Sequence, residues 1–418
     1  MYSNEDYLLP CINALLYIGL LVFAIKSKHG ILIMISVIWL VCALFGILYS
    51  MAPFTLTSYD ITIEPYIYMF ILFLIGLFPI SRLRMLEKDK LIVVYNKNIV
   101  NYIVFVLAIS SFIPFLESII QIVTSGVGNL ASNYEERLDD FDTRGYFSFI
   151  GRLLYSIDEY FEFLTPMFLF VYLTSELEKK KWIIIGLCIA SVNPMLNNLA
   201  NGQRFYVVTF LYMMLFNFLL FRKLLDERIK KTIYLLSILA GGGIGILFVA
   251  ISVTRTGNGT EELGALYQVV RYMGESMYNF NTDCYWINDY LYGEHSLKGF
   301  FTYFNIGDMS IDDQTSFLGI MSNVFYTYIG AFVMDFGLIS TMIILTLLSF
   351  ICLKLIVSVD NEINLGFLII ISLYANVLMF GTTYFVYENG FIHLVWSIVL
   401  AIFFINANVV DDENAETV

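Results

Sequence analysis

Ile31-Leu-Ile-Met-Ile-Ser-Val-Ile-Trp-Leu-Val-Cys-Ala-Leu-Phe-Gly-Ile-Leu-Tyr49 is a run of nineteen residues without a charged side chain. Wound as an α-helix at about 1.5 Å per residue, it covers most of the roughly 30 Å hydrocarbon core of a bilayer. Similar runs recur near residues 8–25, 66–80, 99–121, 153–173, 182–199, 205–221, 232–252, 337–356, 363–380 and 391–407. The chain reads as all-α, one polytopic membrane domain over residues 1–418 with about eleven spans, ten to twelve allowing for boundaries. With 59% hydrophobic and 14% charged residues and a mean hydropathy of +0.75, a water-soluble globule is excluded. Strands of a membrane barrel would be shorter and alternate in polarity.

Charge gives the orientation. Glu5 and Asp6 precede the first run and Lys26 and Lys28 follow it, the reverse of a cleavable signal, so this segment is expected to stay with its N-terminus outside. The loops then placed inside carry Lys26, Lys28, Arg82, Arg84, Lys88, Lys90, Lys97, Lys179 to Lys181, Arg222, Lys223, Arg228, Lys230, Lys231 and Lys354, which is 16 of the 23 Lys and Arg. That bias is the positive-inside pattern. Six of the seven remaining cations are arginine: Arg137, Arg144, Arg152, Arg204, Arg255 and Arg271, with Lys298 the seventh. The net charge of −13 owes much to outer loops and to the tail at Asp411-Asp-Glu413, and acidic residues contribute little to topology. Cys284 stands alone in an outer segment, so no disulfide framework is indicated.

Two outer segments are long, about 123–152 and 253–336, the second lying between spans eight and nine. Within it, residues 316–336 read as a re-entrant or interfacial helix, because a single span after Gly337 keeps Lys354 inside. On such a helix Asn323, Thr327 and Gly330 share a face at i, i+4 and i+7. Asp335-Phe-Gly337 matches a kinase triplet but lacks every companion motif, and Gly241-Gly-Gly-Ile-Gly245 lacks the Lys-Ser/Thr of a phosphate loop and lies in a span.

Arg204, Arg255 and Arg271 are the cations that could meet at one outer boundary. A guanidinium fork suits a phosphate or a carboxylate, and the competing assignment is internal pairing with Glu261, Glu262, Glu275 or Asp283. His295 offers an imidazole, a side chain suited to general-base work, and Glu275 and Asp283 are the other outer candidates. No His or carboxylate pair falls at metal-ligand spacing, so neither a metal nor another cofactor is expected.

The run Asn201-Gly-Gln-Arg-Phe-Tyr206 opening a span, the later Asn323-Val-Phe-Tyr-Thr-Tyr328 and Asp335-Phe-Gly337, and the long outer segment between them resemble the Wzy-type oligosaccharide repeat-unit polymerases of O-antigen and capsule synthesis. The Arg-x10-Gly spacing of some outer loops in that family is absent. The resemblance implies an inverting glycosyl transfer outside the cytosol of a bacterial inner membrane, with undecaprenyl-pyrophosphate-linked oligosaccharide as substrate and pyrophosphate as leaving group. It implies no sugar nucleotide and no nucleic acid, with membrane lipids, a flippase and a chain-length regulator as partners. On this reading Arg204, Arg255, Arg271, Asn323, Tyr326 and Asp335 bind substrate, and His295, Glu275 or Asp283 takes the acceptor proton. An O-antigen ligase shares the pyrophosphate problem. A flippase or transporter would instead show matching halves and charges at the midplane.

Overall fold

The structure, a computed structural model, describes residues 8–51, 59–83, 92–125, 145–201, 203, 205–235, 264–306, 309–322, 324–357, 362–388 and 390–415. These residues are mostly helical. Among the described residues six helices are long and apolar enough to cross a membrane, α1 (Leu8–Ser27), α2 (Gly30–Ser50), α3 (Ile63–Arg82), α4 (Lys97–Ser125), α7 (Lys181–Ala200) and the stretch Tyr328–Ile356 of α12. Between and after them come α5 (Phe149–Tyr160), α6 (Thr165–Thr174), α8 (Phe205–Phe221), α9 (Gly264–Thr282), α10 (Lys298–Phe304), α11 (Ile311–Leu318), α12 (Tyr328–Val357), α13 (Leu365–Phe380) and α14 (Phe391–Ala415). Two three-residue strands, Ile92–Val94 and Glu362–Asn364, are the only β-structure among the described residues. The protein is an all-α membrane protein. The run expected at 232–252 lies almost wholly outside the described residues.

The chain forms two compact units, the first drawn from Met1–Ile92, Tyr267–Ile363 and Phe367–Ile398. Its centre is Trp39 on α2, fully buried, stacked on Phe73 of α3 at 4.1 Å between ring centroids and edge-on to Tyr328 at 6.1 Å. The indole N–H cannot be left dry in a bilayer. It donates to the carbonyl of Leu378 at 2.8 Å. α1 and α2 form a hairpin through Lys28, whose φ of 55° is left-handed, and His29 caps α2 by accepting the N–H of Leu32 at 3.2 Å. α9 packs on α2 at backbone contact. A Cβ on Gly274 would lie 2.3 Å from the carbonyl oxygen of Phe45, the small-residue crossing that holds membrane helices together.

This packing changes the reading of the second outer segment. Its described part is largely helical, since α9, α10 and α11 all fall within 253–336. Asn281 fastens the end of α9 to the start of α3, donating to the Thr62 carbonyl at 2.7 Å and accepting its N–H at 3.1 Å. The expected helix over 316–336 is also divided: α11 ends at Leu318 with Gly319 in the left-handed region at φ 69°, and helix resumes only at Tyr328. Gly337 then breaks α12 with φ 73° and ψ 173°, a region open in practice to glycine alone.

The second unit is drawn from Val93–Leu266, Asn364–Gly366 and Val399–Val418. The run read as one span over 153–173 is two helices, α5 and α6, separated at Phe161 to Leu164. Pro166 explains the break, because its ring would collide with the carbonyl four residues back in a continuous helix but fits the first turn of a new one. Asp158 of α5 is wholly buried and accepts from Ser110 at 3.0 Å and Asn193 of α7 at 2.6 Å. Tyr146, Tyr155 and Asn197 continue the network, with Tyr146 donating to Asn197 at 2.8 Å and Asn197 donating to Tyr155 at 2.9 Å.

Candidate functional site

Three stretches of the first unit meet where α12 breaks. Because Gly337 turns the chain out of helix, the backbone of Met334 and Asp335 is free to pair with a neighbour, and the N–H groups of Leu291 and Tyr292 donate to their carbonyls at 2.9 Å each. The Asp335 side chain, fully buried, then accepts the N–H of His295 at 3.0 Å and of Ser296 at 2.6 Å. A carboxylate receiving two backbone donors is a strong local clamp. Asp335-Phe-Gly337 is therefore a helix break joined to a turn cap, and the Tyr290 ring fills the space that a side chain on Gly337 would need, 2.7 Å from an ideal Cβ.

The clamp aims His295. Its side chain is 11% exposed, with Nδ1 3.5 Å from Oε1 of Gln314 on α11 and Nε2 3.8 Å from Oε2 of Glu388. Glu388 sits in the turn between α13 and α14, and its backbone carbonyl accepts the N–H of Gly299 at 2.9 Å, which ties that turn to α10. The Glu388 carboxylate is 16% exposed, and no described residue donates a hydrogen bond to it. Burial pushes its pKa above the ordinary carboxylate value, while His295 and Lys298 draw it down and Asp335 pushes it up again. A largely dry carboxylate with open lone pairs, beside an imidazole and an ammonium, is equipped to take a proton from an incoming hydroxyl.

Apolar space adjoins this polar end. A cleft of about 250 Å³ runs between α12, α13 and α14, lined among others by Phe332, Leu348, Tyr374, Phe385 and Tyr387. Phe332 lies one helical turn from Asp335, and Phe385 three residues before Glu388, with the two rings 5.1 Å apart. The turn that carries Glu388 thus adjoins an apolar groove, since Phe385 and Tyr387 line it, a layout that suits an amphiphile.

The remaining candidates separate. Arg271 and Glu275 pair with each other on α9, Nε to Oε2 at 2.8 Å, and Asn279 donates to Oε1 of Glu275 at 3.3 Å. Glu275 is buried and both its oxygens are engaged, so it anchors α9 and is poorly placed to act as a base. Arg271 adopts the internal pairing that competes with phosphate binding. Asp283 is half-buried at the end of α9, where its N–H donates to Asn279. Tyr326 is buried with its hydroxyl donating to the carbonyl of Met321 at 2.9 Å, a loop brace. Arg204, Arg255 and Asn323 lie outside the described residues. Among the described residues no three His, Cys, Asp or Glu side chains are grouped to hold a metal ion.

Glu388 was not singled out from sequence. Its signal was available: Tyr384-Phe-Val-Tyr-Glu388 sets a carboxylate in apolar surroundings between the last two spans, on the outer side by charge bias. The same holds for Asp158, Glu159 and Glu162, carboxylates within a run read only as a span. Comparison of the chain with protein-family models, curated proteins and solved structures finds no match, so function is argued from the site.

Proposed function

We propose that the protein polymerises undecaprenyl-pyrophosphate-linked oligosaccharide repeat units at the outer face of a bacterial inner membrane. The observation that supports this best is the half-buried Glu388 carboxylate, without a hydrogen-bond donor among the described residues, held near His295 and Lys298 and next to an apolar cleft. In the reaction, the acceptor sugar hydroxyl attacks the anomeric carbon of the donor glycan. The bond from that carbon to the pyrophosphate oxygen breaks, and the hydroxyl proton passes to Glu388, with His295 stabilising the changing charge. Lys298 supplies positive charge near the developing pyrophosphate, and Arg204 and Arg255 are proposed to add to it. The cleft would take the first isoprene units of one lipid.

Deleting the gene is expected to leave single lipid-linked repeat units and to abolish long surface glycan, read on a gel of glycan lengths. An unchanged ladder would defeat the proposal. Lipid-linked polymer that accumulates without attachment would point to a ligase, and repeat units trapped on the inner face would point to a flippase.

The orientation is tested separately. In a cysteine-free background, Tyr303→Cys on α10, 69% exposed, should react with a membrane-impermeant maleimide added outside. Lys180→Cys, in a loop assigned to the cytosol, should not. Ser296 is a poor reporter because it is buried. A reversed labelling pattern would put the His295 and Glu388 site on the cytosolic face and end the argument for outer chemistry.

A further inference from the structure

A second cavity, of about 580 Å³, opens in the first unit at the other ends of α1, α2 and α3 from the turn at Thr62. Its walls are hydrocarbon, including Leu20, Phe23, Leu74 and Phe78, while Ser27, His29, Ser81 and Arg82 gather at one end. The volume lies within the roughly 300–1,000 Å³ of small-molecule pockets. Phe23 is 62% exposed and Phe78 47%, so the apolar part opens sideways toward lipid.

The polar end is cationic. The helix ends that bound it, residues 20–32 and 74–83, contain Lys26, Lys28 and Arg82 and no Asp or Glu. Arg82 lies over the Phe78 ring at 5.1 Å and forms no ion pair with a described carboxylate. Ser27 and Ser81 spend their hydroxyl protons on the carbonyls of Ala24 and Phe78. A guanidinium with no ion-pair partner among the described residues, at the mouth of an apolar cavity, is complementary to an anionic head on an apolar tail. The charge bias puts this end at the cytosolic leaflet.

From this arrangement we propose that the cavity is a specific site for an anionic phospholipid of the inner leaflet, with its phosphate on Arg82 and an acyl chain between α1 and α3. The site is independent of the outer one around Glu388. Bound there, the lipid bridges three helices whose middles carry the core around Trp39, and it stabilises their packing by mass action.

The test is native mass spectrometry of the full-length protein in detergent, titrated with phosphatidylglycerol or with phosphatidylcholine of the same chains. Wild type should retain one phosphatidylglycerol with a preference of roughly fivefold or more, as one cation at the head predicts. Arg82→Gln should erase that preference and Arg82→Lys should keep most of it. Leu74→Trp, which fills the cavity and leaves the charges in place, should weaken retention of both lipids. Equal retention of the two lipids by wild type would overturn the proposal, as would displacement of the lipid by excess inorganic phosphate, which would mark a site for the free anion. Should Arg82→Gln not yield folded protein, the wild-type preference and Leu74→Trp still decide.

Discussion

Glu388→Gln is expected to slow transfer between lipid-linked repeat units by a factor on the order of a hundred to ten thousand, the range a positioned general base contributes. The substitution keeps the volume of the side chain. It also leaves the contact between the Glu388 carbonyl and the Gly299 N–H, because that contact is made by the backbone. A loss of rate at unchanged membrane abundance therefore reports chemistry. The pH profile separates the roles further. A base works deprotonated, and burial raises the Glu388 pKa above the ordinary carboxylate value. Wild-type activity should be present above that raised pKa and fall as pH drops through it, at a higher pH than a solvated glutamate would give. Glu388→Gln should lose this acid limb. His295→Gln should keep the limb but move it, because the ring that pulls the Glu388 pKa down is gone. The measurement is the initial rate of chain extension by purified protein across pH, and a Glu388→Gln enzyme within twofold of wild type would remove Glu388 from the reaction.

Gly337→Ala is expected to damage the first unit more than a backbone penalty alone would. Two costs coincide there. The backbone conformation at φ 73° and ψ 173° is one that a residue with a side chain reaches only at about 1–3 kcal/mol. The new methyl would also lie 2.7 Å from the Tyr290 ring, so that ring, at the start of the turn that follows, must shift. That turn carries His295 and Ser296, whose N–H groups the Asp335 carboxylate holds, so the displacement reaches the site. Gly319→Ala is the control, since φ there is 69° but nothing lies within 4 Å of an added methyl. It should cost only the left-handed backbone term, roughly 1 kcal/mol. Thermal midpoints of the two variants in one detergent give the comparison, and equal midpoints would show that the contact with Tyr290 relaxes without cost. Asp335→Asn should fall between them in stability, because one of the two backbone donors then faces an amide N–H₂.

Hydropathy made most of the helices legible because span length and local helix formation are set by each segment's own residues in a solvent that tolerates no unpaired backbone. α1, α2, α3 and α7 fall on the runs read at 8–25, 31–49, 66–80 and 182–199. At two places a local rule competes with hydropathy and wins: Pro166 divides the run at 153–173, and Gly337 bends α12 where the charge bias had placed a boundary, whereas Pro79 and Pro194 lie inside continuous helices. The pairing of Arg271 with Glu275 is likewise a local, i to i+4 matter.

The site belongs to another class of information. His295 and Glu388 are brought within 3.8 Å, and Asp335 reaches back to the turn at His295, through chain separations that no periodicity records. The amphipathic pattern of α9 could equally have covered a solvated outer face. Gly274 against Phe45, and Asn281 on Thr62, instead seat it among the membrane helices and bury Glu275. The sequence by itself determined the solvent and most of the described helices, because these are sums over neighbouring residues. Only the tertiary structure decided which carboxylate is paired and which is left open, because that depends on what each side chain meets across the packed helices.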